Sequence, residues 1–159
     1  MITAPLLRAV ALGLACSSLA ACAPHGGGGA SGEAPASQLD NLIGAAIGDP
    51  STCVLLARRD TGQVVYRYGD AFNCDRQLPA CDRPGMLDAR TALQFAAKGR
   101  MASCPSSADG TRNVGWAAGS VPSKKGQNLV FSAVMEGERA LPGHEMNARL
   151  YDAFSNARM

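Results

Sequence analysis

Four cysteines, Cys53, Cys74, Cys81 and Cys104, occupy the middle of this 159-residue chain. Each must be a bridge partner, a metal ligand or a reactive thiol, and each role demands different surroundings. The spacings contain no Cys-x-x-Cys pair and no histidine lies among them, which argues against a zinc site. An even number of cysteines in an exported domain points to disulfides instead. Four cysteines allow three pairings. The predicted elements favour Cys53–Cys74, at the open end of a hairpin, with Cys81–Cys104, where a helix runs out and the following loop returns. Each bridge would contribute about 2–4 kcal/mol by closing a loop.

Export is read from the N-terminus. Residues 1–21 have the layout of a removable signal: a short segment with one positive charge at Arg8, then an apolar run too short to span a bilayer. Leu19-Ala20-Ala21-Cys22 has the form of a lipobox. Cys22 is therefore the expected lipidation site, and two or three acyl chains on it would anchor the chain stably. Ala23 in the next position, rather than aspartate, points to the outer membrane, with the domain facing the periplasm. Residues 22–37, with Gly26 to Gly29, Pro24 and Pro35, have too little apolar bulk to fold and read as a tether. His25 lies in it and reads as a solvated linker residue. Residues 38–159 then form one small domain.

Losing Arg8 with the signal takes 15 basic side chains to 14, against 13 acidic ones. So balanced a charge gives no basis for nucleic-acid binding. No cofactor motif is present, and no metal-ligand set. Aromatic residues are few, so the core must be aliphatic and alanine-rich.

Hydrophobic periodicity predicts an α+β domain. Residues 38–48 carry apolar side chains at 39, 42, 43, 46 and 47, a helical stripe that Ser37 could cap. Cys53-Val54-Leu55-Leu56-Ala57 is a continuous apolar run, as in a buried strand. Asp60-Thr61-Gly62 is a turn, and Val64, Tyr66 and Tyr68 then alternate on one face. This gives a hairpin at about 52–70. Residues 71–85 read as irregular. A helix is predicted at 88–98, capped by Asp88, with Ala92, Leu93, Ala96 and Ala97 inward. Residues 101–112 read as a polar loop. A second hairpin spans about 113–135, its glycines permitting close backbone approach. A helix at 143–157 turns Met146, Leu150, Ala153 and Phe154 inward. Two antiparallel hairpins sharing one sheet, packed by helices, make an α+β sandwich.

The Asp60-Thr61-Gly62 hairpin, Pro79–Pro84, Ala108–Thr111, Val114–Gly119, Val130–Ala133 and Glu136–Gly143 together resemble parts of the serine β-lactamase and penicillin-binding-protein superfamily. Asp60-Thr61-Gly62 and its hairpin are similar to that family's opening strands. Pro79-Ala80-Cys81-Asp82-Arg83-Pro84 lies where the family has Pro-Ala-Ser-x-x-Lys, and Ala108-Asp109-Gly110-Thr111 where it has Lys-Thr-Gly-Thr. Val114-Gly115-Trp116-Ala117-Ala118-Gly119, Val130-Phe131-Ser132-Ala133 and the Glu136–Gly143 segment resemble its closing strands and the approach to its last helix. The resemblance covers about two thirds of the chain. It implies a first strand beside the last, with the terminal helices together on one face. It also implies a truncated core, since only 23 residues separate Pro84 from Ala108 and leave no room for the all-helical subdomain that carries Ser-x-Asn.

Family catalysis needs a serine and, one helical turn on, a lysine to take its proton. Cys81 and Pro84 stand at those positions, and Asp109 would repel the carboxylate that the family's lysine holds. The expectation is therefore a lipid-anchored envelope protein, a non-catalytic β-lactamase-like scaffold binding an envelope protein or peptidoglycan. One alternative is a cysteine-dependent acyl-transfer or penicillin-binding enzyme acting through Cys81, with Arg83 lowering the thiol pKa. Another is an interaction module of the profilin or roadblock type. Trp116 reads as core. Glu136, Glu138 and Arg139 read as a solvated charged turn, and His144, Glu145 and Asn147 as a polar helix start.

Overall fold

A computed structural model describes residues 35–123, 126 and 128–157. The predicted signal, Cys22 and His25 lie outside the described residues. Twelve elements follow in order: α1 (Ala36–Ile47), β1 (Cys53–Arg58), β2 (Val64–Tyr68), α2 (Ala71–Asp75), β3 (Leu78–Pro79), β4 (Met86–Leu87), α3 (Ala89–Ala92), a 3₁₀ turn (Leu93–Lys98), β5 (Arg100–Pro105), β6 (Asn113–Ser120), β7 (Leu129–Gly137) and α4 (Gly143–Asn156). Five strands form an antiparallel sheet in the order β2-β1-β7-β6-β5, and β3 pairs with β4 in a small ladder beside it.

The sheet centre follows from sequence. β1 and β7 are apolar almost throughout and buried on both faces. They pair in register from Cys53↔Val134 to Arg58↔Leu129, so the first strand lies beside the last. α1 and α4 pack together on one face. Leu39, Ile43 and Ile47 from α1 meet Met146, Leu150 and Phe154 from α4 over Val54, Leu56 and Phe131. α2, α3 and the 3₁₀ turn cover the other face.

The glycines of β6 serve close approach. A Cβ on Gly115 would lie 2.0 Å from the Leu141 carbonyl oxygen, and one on Gly143 would lie 2.1 Å from the Trp116 carbonyl. The start of α4 therefore rests directly on strand backbone.

Five readings of the sequence are corrected. α1 begins at Ala36, after Pro35, and Ser37 lies within its first turn rather than capping it. Proline suits a helix entry because it has no N–H to leave unpaired. A bulge between Leu56 and Ala57 skips Val65, so Val64 turns to the α3 face while Val65, Tyr66 and Tyr68 meet α1. The 88–98 helix is α-helical only over Ala89–Ala92 and continues as 3₁₀. With three residues per turn, Leu93 and Ala96 align and Ala97 rotates out to solvent. The 71–85 stretch contains α2, capped by Asp70, and β3. Finally, the start of the 101–112 loop belongs to β5, an edge strand whose Arg100, Ala102 and Cys104 point inward.

Candidate functional site

The stretch 78–85, where the family resemblance puts a nucleophile, is a knuckle at the β5 side of the sheet. β3 and β4 pair through Leu78↔Leu87 and Pro79↔Met86, and the chain between them turns back on itself. The Asp82 amide donates to the Ala80 carbonyl at 2.9 Å, closing a γ-turn about Cys81. Cys81 has φ 69°, and no other described non-glycine residue has a positive φ. This left-handed conformation costs a β-carbon about 1–2 kcal/mol. Two attachments hold it. The Trp116 indole N–H donates to the Pro79 carbonyl at 2.8 Å, and Cys81 is bonded to Cys104 of β5, with Cα atoms 5.4 Å apart.

A second bridge joins Cys53 at the start of β1 to Cys74 in α2, with Cα atoms 5.2 Å apart. All four cysteines of the domain are thus spent in bridges. A sulfur bonded to another sulfur has no thiolate to attack a carbonyl, so Cys81 has no nucleophile to offer while its bridge is intact. Pro84 is exposed and holds no proton acceptor. His144 is exposed in the first turn of α4 and makes no hydrogen bond to the knuckle. Asp109 is also exposed. It accepts from Ser107 Oγ at 2.6 Å and from Thr111 N and Oγ1 at 3.1 and 2.8 Å, which lowers its pKa to about 2. Its carboxylate is engaged by its own loop.

Beneath the knuckle lies a cation that sequence reasoning missed. The Arg100 side chain is 3% exposed. One guanidinium nitrogen donates to the Ala80 carbonyl and to Asp82 at 2.7 Å. Its Nε and Nη1 have no hydrogen-bond partner among the described residues. The guanidinium lies 5.5 Å from the Phe95 ring and 5.8 Å from the Trp116 ring, where a ring quadrupole attracts a cation. Burial pulls its pKa down and Asp82 opposes that shift. Arg83 covers Phe95 from outside at 4.0 Å.

The second polar cluster corrects a reading. Glu136 is 3% exposed in β7 and is no part of a solvated turn. Arg112 grips it through two hydrogen bonds of 2.9 and 2.7 Å, Arg76 donates at 3.0 Å, and Ser106 Oγ at 2.8 Å. Arg112 first, then Ser106 and Arg76, lower the Glu136 pKa to about 2 against the opposing effect of burial. Glu138 and Arg139 are exposed as expected. The cluster ties α2 and the β5–β6 loop to the sheet. All four donors are spent within the protein, so it is a structural lock rather than a carboxylate poised for acid–base work.

No three His, Cys, Asp or Glu side chains converge as a metal site among the described residues, and no described helix is long and apolar enough to cross a membrane. No protein-family model, curated protein or solved structure matches the chain.

Proposed function

We propose that this chain is a lipid-anchored envelope scaffold whose β-lactamase-like sheet binds a partner without performing acyl transfer. The observation that carries this reading is the bond between Cys81 and Cys104, since it occupies the atom that the family's chemistry would need. The sheet order supports the family likeness: β1 lies beside β7, with α1 and α4 together on one face. The knuckle supports the non-catalytic reading: a γ-turn about Cys81, with Pro84 three residues on, stands in place of the helical turn that would carry a nucleophile and a lysine on one face. The lipobox at Cys22 supplies the anchor, and the partner is an envelope protein or peptidoglycan.

Two measurements test the reading. The full chain, with free thiols blocked before any reduction, is digested and its cross-linked peptides are weighed; Cys81 should appear joined to Cys104. The same preparation is exposed to a labelled penicillin and to purified peptidoglycan sacculi. No covalent label is expected. Stoichiometric acylation at any residue would overturn the non-catalytic reading. Sedimentation with sacculi would assign the partner to the cell wall, and its absence would direct the search to envelope proteins.

A further inference from the structure

The upper part of the α3 face is filled mainly by alanines. Ala57, Ala96 and Ala118 pack there with Val130. This patch is itself buried. A pocket of about 340 Å³ opens at its edge, with Leu93, Ala97 and Val130 in its walls and Arg58, Arg59 and Arg90 also lining it. No carboxylate lines it among the described residues. None of the ion pairs among the described residues includes these three arginines. Arg59 donates to Ser120 Oγ, while Arg58 and Arg90 make no side-chain hydrogen bond among the described residues. Of the seven other described arginines, all but Arg67 find a carboxylate, so this pocket gathers three of the four described arginines that pair with none.

We infer that this pocket is an anion site that takes a phosphate group carried on an apolar stem. Guanidinium groups present paired N–H donors that match phosphate oxygens. The volume lies at the lower end of the range for small-ligand pockets, and the apolar walls would accept the first atoms of the stem. The phosphate can belong to a lipid headgroup or to a soluble ester. The topology bears on the first source. Tyr66 donates to Asp40 at 2.6 Å, and Gly44 of α1 sits under Tyr68. α1 therefore starts toward the Asp60–Gly62 turn, and Pro35 enters at the end of the molecule that holds the pocket. On the lipoprotein reading, an anchor on Cys22 would hold this end nearest the bilayer. The anion site itself needs no lipid on Cys22.

The test uses the full chain carrying Cys22→Ala, which cannot be acylated there. Inorganic phosphate is titrated while the Gly62 amide and the arginine Nε–H signals are followed by NMR. Saturable shifts confined to the pocket are expected. Arg58→Gln and Arg90→Gln should each weaken binding about tenfold, the loss of one charge-assisted contact. Both side chains are exposed, so the melting temperature should hold. Arg139→Gln, at the other end, should change nothing. The second arm is sedimentation with phosphatidylglycerol vesicles against pure phosphatidylcholine. If the same substitutions release the chain from anionic vesicles, the phosphate is a headgroup; if they weaken phosphate binding alone, the ligand is soluble. An absence of saturable phosphate binding, or binding indifferent to both substitutions, overturns the site. Vesicle binding without phosphate binding would also overturn it, as that is the behaviour of a diffuse basic surface.

Discussion

Under α1 and α4 the sheet is covered by Leu39, Ile43, Phe131, Met146, Leu150 and Phe154, with no cross-link. Under α2, α3 and the 3₁₀ turn it is covered by Trp116, a set of alanines and two disulfides, with Arg100 and Glu136 buried at the edges. The first face holds regular helices of 12 and 14 residues. The second holds pieces of four to six. Large side chains give a helix enough buried area to stay docked, at about 25 cal/mol per Å². Short segments rich in alanine cannot bury as much, and the second face relies on covalent and ionic ties. It also carries the arginine-lined pocket.

The sharpest way to break this contrast is to remove the bridges. Each should be worth about 3 kcal/mol for loops of this size. Losing both would take a large part of the 5–15 kcal/mol that a small domain usually has. Hydrogen exchange with and without reductant should show α2, the β3–β4 ladder and α3 losing protection first. β1, β7, α1 and α4 should keep theirs until the whole domain unfolds. Uniform loss of protection would mean that the two faces are one cooperative unit, and the contrast would fall.

The opposite face is probed by Phe131→Ala. Phe131 is 1% exposed and tilts against Phe154 with ring centroids 5.2 Å apart. Truncation of a buried aromatic costs about 3–5 kcal/mol, and no bridge on that face limits the damage. The loss should appear in the urea midpoint, with exchange accelerated on both faces together. A loss below about 1 kcal/mol would show that this face collapses around the gap and is less tightly packed than its burial implies.

The same contrast explains what could be read from the chain. The β1–β2 hairpin and α4 are written in local pattern, by a continuous apolar run, a turn at Asp60-Thr61-Gly62 and a helical stripe. β5 is not. Its inward residues Arg100, Ala102 and Cys104 include a cation and a small side chain, so its alternation is chemically faint. Bridges could be inferred from the cysteine number together with the export expected from the N-terminal sequence. The convergence of Arg76 and Arg112 on Glu136 could not, because those partners lie 60 and 24 residues away. The pocket left a weak trace: two adjacent arginines, Arg58-Arg59, stand at a turn with a single acidic residue, Asp60, beside them.

A smaller effect is expected from Glu136→Gln. The variant weakens three charge-assisted contacts, but the Arg76 and Arg112 side chains are 29% and 46% exposed and can turn to water. The cost should be about 1–3 kcal/mol. Its pH dependence is diagnostic. The folded pKa, about 2, lies below the roughly 4.3 of a free glutamate. The stabilisation is therefore complete above the unfolded value and is lost as pH falls through the folded one. The urea-midpoint difference between wild type and variant should be flat from neutral pH to about 5 and shrink between about 4 and 2. A difference that ignores pH would mean that packing, not charge, holds this lock.

The smallest effect should come from the most buried cation. Arg100→Met removes a guanidinium with two unpartnered donors and puts a flexible apolar chain between Phe95 and Trp116. It loses the bonds to the Ala80 carbonyl and to Asp82, but the Asp82 side chain is 34% exposed and water can replace the arginine there. Exchanging buried ionic groups for apolar ones of similar volume is often neutral, so the net change should stay within about 1 kcal/mol. The bridge between Cys81 and Cys104 still holds the knuckle, so the thermal midpoint should barely move. A loss as large as that of Phe131→Ala would show that the left-handed turn at Cys81 depends on Arg100 rather than on the disulfide. The second face would then owe its shape to a buried ion first and to its cross-links second.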